Sequence, residues 1–177
     1  MPKQLLIMRH AKSSWSDINS TDHERPLNRR GLKAAPQMGR FVAQQSCVPD
    51  LVFCSTAIRA QQTAELFIEN CAGIELDQLY LVDEFYHASP RTYLEQLASI
   101  DNVQSSNGQT NARSIETAMV IGHNPGLEEL VLRLSGNYET MPTAAIAFFR
   151  LNIECWSAIL NSKGAELIDV WRPKVIF

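Results

Sequence analysis

Residues 5–15 read LLIMRHAKSSW, and the order of residue types in this stretch decides how the chain folds. Leu5, Leu6, Ile7 and Met8 form an apolar run with no polar alternation, the pattern of a strand covered on both faces of a parallel sheet. The run stops at Arg9 and His10, and small and polar residues follow. In a chain with only 4 histidines, such an Arg-His pair at the mouth of a buried strand has two readings. It is either an incidental surface pair or half of a phosphate-handling site.

Working outward, residues 51–54 and 117–121 repeat the same short apolar run, each ending in polar or glycine-containing sequence. Residues 74–80 read as a further strand. Residues 145–152 and 165–171 read as two more, joined antiparallel by a hairpin around Asn161-Ser162-Lys163-Gly164. Between the runs lie helical patterns. Ala57, Ala60, Ala64, Phe67 and Cys71 share one helical face, as do Leu127, Leu130, Val131 and Leu134, with Gly136 as a stop. Residues 30–45 are helical in pattern, although Pro36 and Gly39 predict a break or a late start. Residues 90–100 form another candidate, with Pro90 tolerated in the first turn. Residues 101–113, rich in Asn, Gln, Ser and Gly, read as a mobile surface loop. Alternating strands and helices predict an α/β fold. The expectation is a three-layer α/β/α sandwich with a mainly parallel central sheet and an antiparallel edge, one domain over residues 1–177.

Composition narrows the function classes. A net charge of -3 and the lack of any Lys/Arg block argue against nucleic-acid binding. No apolar stretch approaches the ~20 residues needed to span a bilayer, and the N-terminus enters a strand with no signal-peptide core. A cytoplasmic location with no membrane partner is expected. Cys47, Cys54, Cys71 and Cys155 show no CxxC pairing, so reduced and mostly buried thiols are expected. The histidines show no HExxH or comparable spacing, so neither a metal site nor a cofactor is expected.

In open α/β sheets, ligands sit beyond the carboxyl ends of the strands. Three segments place polar residues there: Arg9-His10, the run from Ser55 to Arg59, and Gly122-His123-Asn124-Pro125-Gly126. Ser55 or Thr56 is a candidate helix cap that brings Arg59 close to the strand mouth. Asn124 is a candidate cap with Pro125 at the first helical position, leaving N–H groups beside His123 for an anion. A fourth segment, HERPLNRRG, adds Arg25 from a loop leaving the same side. Guanidinium groups suit phosphate oxygens in a bidentate way that lysine does not.

The chemistry this permits is in-line attack of a neutral His10 imidazole on phosphorus, followed by hydrolysis of the phosphohistidine. Arg9, Arg25, Arg59 and His123 would balance charge on the transferred group. An alkyl phosphate would also need a proton donor. In LYLVDEFYHASP the candidates are Asp83 and Glu84, with Glu84 favoured. His23 and His87 have no matched partner and read as non-catalytic. Ser13, Ser14 and Trp15 read as rim residues, and Trp156 and Trp171 as packing.

Taken together, RHAKSSW, RPLNRRG, STAIRAQQTAE and GHNPGLEEL, in this order, resemble the histidine phosphatase superfamily, and within it the SixA-type phosphohistidine phosphatases. The resemblance implies His10 as the phosphorylated nucleophile and Arg9, Arg25, Arg59 and His123 as the phosphate pocket, with Glu84 where many members keep their acid. Many mutases and sugar-phosphate phosphatases of the superfamily continue Arg-His with Gly, Glu and Thr and later an Asn, whereas Ala11, Lys12, Ser13 and Ser16 stand here. HNPG likewise replaces the Gly-Gly that often follows the second histidine.

The expectation is a metal-independent phosphatase acting on a phosphohistidine-bearing protein or a small phosphorylated compound. The alternatives are a small-molecule phosphomonoesterase, a phosphomutase, or a phosphate-binding module without turnover. A metal hydrolase is the weakest reading, and oligomeric state is not legible.

Overall fold

In the computed structural model, which describes residues 2–16, 19–102, 114–162 and 165–177, the strands are β1 (Lys3–Arg9), β2 (Leu51–Ser55), β3 (Leu79–Val82), β4 (Thr117–Gly122), β5 (Ile146–Leu151) and β6 (Ala165–Trp171). The helices are α1 (Arg29–Ala43), α2 (Ile58–Ile68), α3 (Pro90–Ala98), α4 (Gly126–Ser135) and a short α5 (Pro173–Ile176). These strands form one sheet in the order β3-β2-β4-β1-β5-β6. β1 is parallel to β4, β4 to β2, and β2 to β3, while β5 and β6 form an antiparallel edge.

Residues Leu5 to Met8 are fully buried, each contributing about 1.5–3 kcal/mol of apolar burial. Strand alternation divides them. Leu5 and Ile7 pack with Tyr93, Leu94 and Leu97 of α3 and Leu127 and Leu130 of α4. Leu6 and Met8 pack with Met38 and Val42 of α1 and Ala64 and Phe67 of α2. The three-layer arrangement follows from an apolar run that must be covered twice.

Several expectations change in detail. Pro36 does not break α1, which runs unbroken from Arg29 to Ala43. The carbonyl left without its helical donor belongs to Leu32, a residue on the exposed side of the helix. Gly39 is there for packing, since a Cβ would collide with the Phe67 carbonyl on α2.

The strand expected at 74–80 is displaced to Leu79–Val82, because Glu75 and Gln78 close a capping box around a 3-10 turn at Leu76–Gln78. β5 and β6 are antiparallel as expected, but no tight hairpin joins them. A 3-10 helix at Trp156–Asn161 intervenes, with Trp156 and Ile159 buried. Lys163 and Gly164 lie outside the described residues.

Asp101 is not loop surface of the expected kind, because its carboxylate accepts from the N–H groups of Trp156 and Ser157 at 3.1 and 2.8 Å. Residues 103–113 of that expected loop lie outside the described residues. Cys47, Cys54 and Cys71 are buried free thiols, and Cys155 is an exposed one.

Candidate active site

Parallel pairing brings the carboxyl ends of β1, β2, β3 and β4 to one edge. Arg9 pairs with Gly122, and the His10 N–H donates to the Gly122 carbonyl at 3.1 Å, so His10 and His123 leave neighbouring strands side by side. Their ring centroids are 5.0 Å apart. Gly122 is required here, because a Cβ would overlap the buried Tyr93 hydroxyl.

The four sequence segments buckle together around this edge. Asn28 caps α1 by accepting from the N–H groups of Arg30 and Gly31, and its own N–H donates to the Lys12 carbonyl at 2.9 Å. Gly31 lets the first turn of α1 approach that carbonyl. Thr63 on α2 accepts from the Ala11 N–H at 2.9 Å and donates to the Arg59 carbonyl at 2.6 Å.

Neither Ser55 nor Thr56 caps α2 as expected; Ala57 stands at that position without a side-chain bond. Asn124 does not cap α4 either. Pro125 occupies the cap rather than the first helical position, and Asn124 donates to the Met141 carbonyl at 3.0 Å.

Each imidazole has a defined tautomer. His10 Nδ1 lies 2.7 Å from the Ala11 carbonyl, which only accepts, so Nδ1 carries the proton and Nε2 presents its lone pair. Arg59 Nε donates to that Nε2 at 3.3 Å. His123 Nδ1 lies 3.4 Å from Arg59 Nη2 and must accept, so its Nε2–H donates to Ser55 Oγ at 2.8 Å. Burial, reinforced by Arg59, Arg9 and Arg25 against the opposing Ala11 hydrogen bond, pushes the His10 pKa down to about 3. Burial, with His10 and Arg59, pushes that of His123 down to about 3.

A cleft of about 310 Å³ opens onto this edge, and Arg9, His10, Arg25, Arg59 and His123 all line it. Arg9 donates through Nη1 to the Met141 carbonyl at 2.9 Å, while its buried Nε has no acceptor among the described residues. Arg25 donates to the Ser14 carbonyl, Ser13 Oγ and Asp22. Its guanidinium carbon lies 3.1 Å from the centre of the Trp15 ring, so Trp15 at the rim covers the Arg25 guanidinium.

Glu84 is not brought to the cleft. It is exposed on the 3-10 turn Asp83–Phe85 and is absent from the lining. The turn directs Phe85 into the core and leaves Asp83 and Glu84 outside.

His87, read from sequence as non-catalytic, does line the cleft, with a left-handed φ of 57°. His23 instead packs edge-on against Tyr86 and bonds Thr56. Sequence reasoning also missed Ser55 as the partner of His123, and Asp22. The Asp22 carboxylate accepts from Arg25 Nη1 at 2.8 Å, Arg59 Nη2 at 3.0 Å and the Tyr86 hydroxyl at 2.8 Å.

Among the described residues, no group of three or more His, Cys, Asp and Glu side chains is placed to share a metal ion. No helix among them is long and apolar enough to cross a membrane.

Residues 5–90 match the histidine phosphatase superfamily (branch 1). An uncharacterized protein of Mycobacterium tuberculosis is 32% identical over 155 residues, spanning 81% of this chain and 87% of the relative. A solved structure from Agrobacterium tumefaciens, assigned as a phosphohistidine phosphatase SixA, is 26% identical with a TM-score of 0.74, covering 98% of this chain and 99% of that one. The adenosylcobalamin/alpha-ribazole phosphatase of Salmonella typhimurium is 25% identical over 207 residues, covering 97% of this chain and all of the relative.

Proposed function

This chain belongs to the histidine phosphatase superfamily, and on that premise we propose that it is a phosphatase working through phospho-His10, with protein phosphohistidine as the favoured substrate. The observation that carries the reading is the lone pair of His10 Nε2, held toward Arg59 in a cleft lined by three arginines. An imidazole that remains neutral there is a nucleophile at ordinary pH.

In the first step His10 Nε2 forms a bond to phosphorus while the bond to the leaving atom breaks and its electron pair departs with that atom. Water then attacks phosphorus and the N–P pair returns to Nε2. Arg9, Arg25 and Arg59 supply positive charge to the equatorial oxygens, the role a metal serves in other phosphoryl-transfer sites. A bound dianion favours a proton on His123 Nδ1, which turns that nitrogen from an acceptor into a donor.

A displayed phosphohistidine suits the short β2–α2 connection at Thr56 and Ala57 and the compact turn after β3. It also suits a rim where Trp15 is 73% exposed. The likeness to the Salmonella phosphatase supports a small-molecule phosphomonoesterase as the second reading.

The test is rapid quench with a phosphohistidine protein, a sugar phosphate and an aryl phosphate, each in excess chelator. An acid-labile, alkali-stable phosphoenzyme should form and be lost in His10→Ala. Undiminished turnover by His10→Ala overturns the mechanism, and faster turnover of the sugar phosphate than of the phosphohistidine protein overturns the substrate preference.

A further inference from the structure

Resting on the phosphatase reading, we propose that Asp22 is the proton donor to the leaving group, bound to Arg25 and Arg59 in the free protein and set free when phosphate takes its place.

The Asp22 carboxylate occupies the donors that a phosphate dianion would need. One oxygen accepts from Arg25 and the other from Arg59 and Tyr86, and Arg59 Nη1 also meets the Asp22 carbonyl oxygen. A phosphate, with three oxygens and twice the charge, competes for the same guanidinium groups.

Position then favours the role of acid. The nucleophile lies at the floor of the cleft, with His10 8% exposed, so an in-line leaving atom points toward the mouth. The Asp22 side chain is 43% exposed, against 8% for Arg25 and 6% for Arg59. It is therefore the most solvent-facing member of the Arg25–Asp22–Arg59 cluster that lines the cleft.

Displacement also changes its proton affinity. Burial alone raises the Asp22 pKa. Hydrogen bonds from Tyr86 and Arg25, with the charge and hydrogen bond of Arg59, outweigh this and hold the carboxyl well below its usual range. The groups facing it are Arg25 from its own loop, Arg59 from α2 and Tyr86 from the turn after β3, with Lys12, His87, His10 and His123 lining the same cleft. Phosphate removes the two guanidinium partners and adds a neighbouring dianion. Both changes favour the protonated carboxyl.

With an alkyl phosphate, the displaced Asp22 carboxylate takes up a proton from solvent. In the first step, as His10 Nε2 bonds phosphorus, the P–O bond breaks, its electron pair stays on oxygen, and that oxygen takes the Asp22 proton. In the second, the Asp22 carboxylate takes a proton from the attacking water while the N–P pair returns to His10. The net reaction consumes one water, and Asp22 returns its proton to solvent when phosphate leaves and the carboxylate rebinds Arg25 and Arg59.

Asp22→Asn and His87→Gln test the proposal. With Asp22→Asn, single-turnover phosphorylation of His10 by an alkyl phosphate should fall by about 10²-fold or more. With p-nitrophenyl phosphate, whose leaving group needs little protonation, the fall should stay under about tenfold. Inorganic phosphate, measured by calorimetry, should bind Asp22→Asn several-fold more tightly than the unaltered protein.

Equal losses on the two substrates, no loss on either, or weaker phosphate binding would make Asp22 a structural clamp and overturn the proposal. A leaving-group-dependent loss in His87→Gln with none in Asp22→Asn would assign the role to His87. Formation of alkali-stable phospho-His10 from the aryl substrate judges the phosphatase reading separately.

Discussion

Arg59 Nε donates to His10 Nε2 across 3.3 Å, so the residue proposed to bind the phosphate also aims the proposed nucleophile. The guanidinium reaches His123 and Asp22 with its other nitrogens. Arg59→Lys keeps one charge but cannot span these partners. We expect kcat to fall by roughly 10²–10³, as for loss of a preorganised transition-state donor, with an unchanged circular dichroism spectrum. A fall of less than about tenfold would count against this placement.

Ser55 is fully buried and is the acceptor for His123 Nε2–H. Ser55→Ala leaves that donor without a partner, a cost of about 1–3 kcal/mol, and frees the imidazole to change tautomer. Urea unfolding should show the loss of stability, and kcat should fall more than the affinity for phosphate. An unchanged urea midpoint would show that His123 finds another acceptor.

Both site histidines have pKa values pushed down to about 3 by burial and neighbouring charge, whereas the unfolded chain titrates near the ordinary value of about 6.5. Below that value the unfolded state binds protons that the folded state refuses. Their contribution to stability is therefore complete above about pH 6.5 and declines as pH falls toward 3, by up to about 1.4 kcal/mol per pH unit for each ring. Denaturant midpoints at pH 7 and pH 5 should show the decline, with a shallower slope in His123→Gln. Nitrogen NMR should find His10 still neutral at pH 5; a ring titrating near 6.5 would contradict this.

Two glycines of α1 should separate stability from activity. In Gly39→Ala the new methyl meets the Phe67 backbone carbonyl between α1 and α2, at a cost of about 1–3 kcal/mol. Turnover per folded molecule should be unchanged. In Gly31→Ala the methyl meets the Lys12 carbonyl, in the loop that carries Ser13 and its bond to Arg25. Thermal unfolding and kcat should then fall together, and an equal kcat in the two variants would show that this loop does not position Arg25.

How far the site was legible differs residue by residue. Arg9, His10 and His123 directly follow or end strands whose apolar runs are visible in the chain, and Arg59 sits in the first turn of the next helix. Arg25 was found through the motif around it. Glu84 was misplaced because a 3-10 turn has no sequence period long enough to show which side chain turns inward.

Asp22 and the pairing of Ser55 with His123 escaped notice for a different reason. Their meaning lies in partners far along the chain: Ser55 meets His123, and Asp22 meets Arg59 and Tyr86.

By itself the sequence determined the central strands and the layers that cover them. Runs such as Leu5 to Met8 and Thr117 to Ile121, short and without polar alternation, suit a sheet covered on both faces, and parallel pairing then gathers their polar ends on one edge. Only the tertiary structure decided which imidazole nitrogen carries each proton, that Asp22 lies in the arginine forks, and that His87 rather than Glu84 faces the cleft. Those outcomes depend on hydrogen-bond directions and turn geometry between distant segments, which no local pattern of residue types encodes.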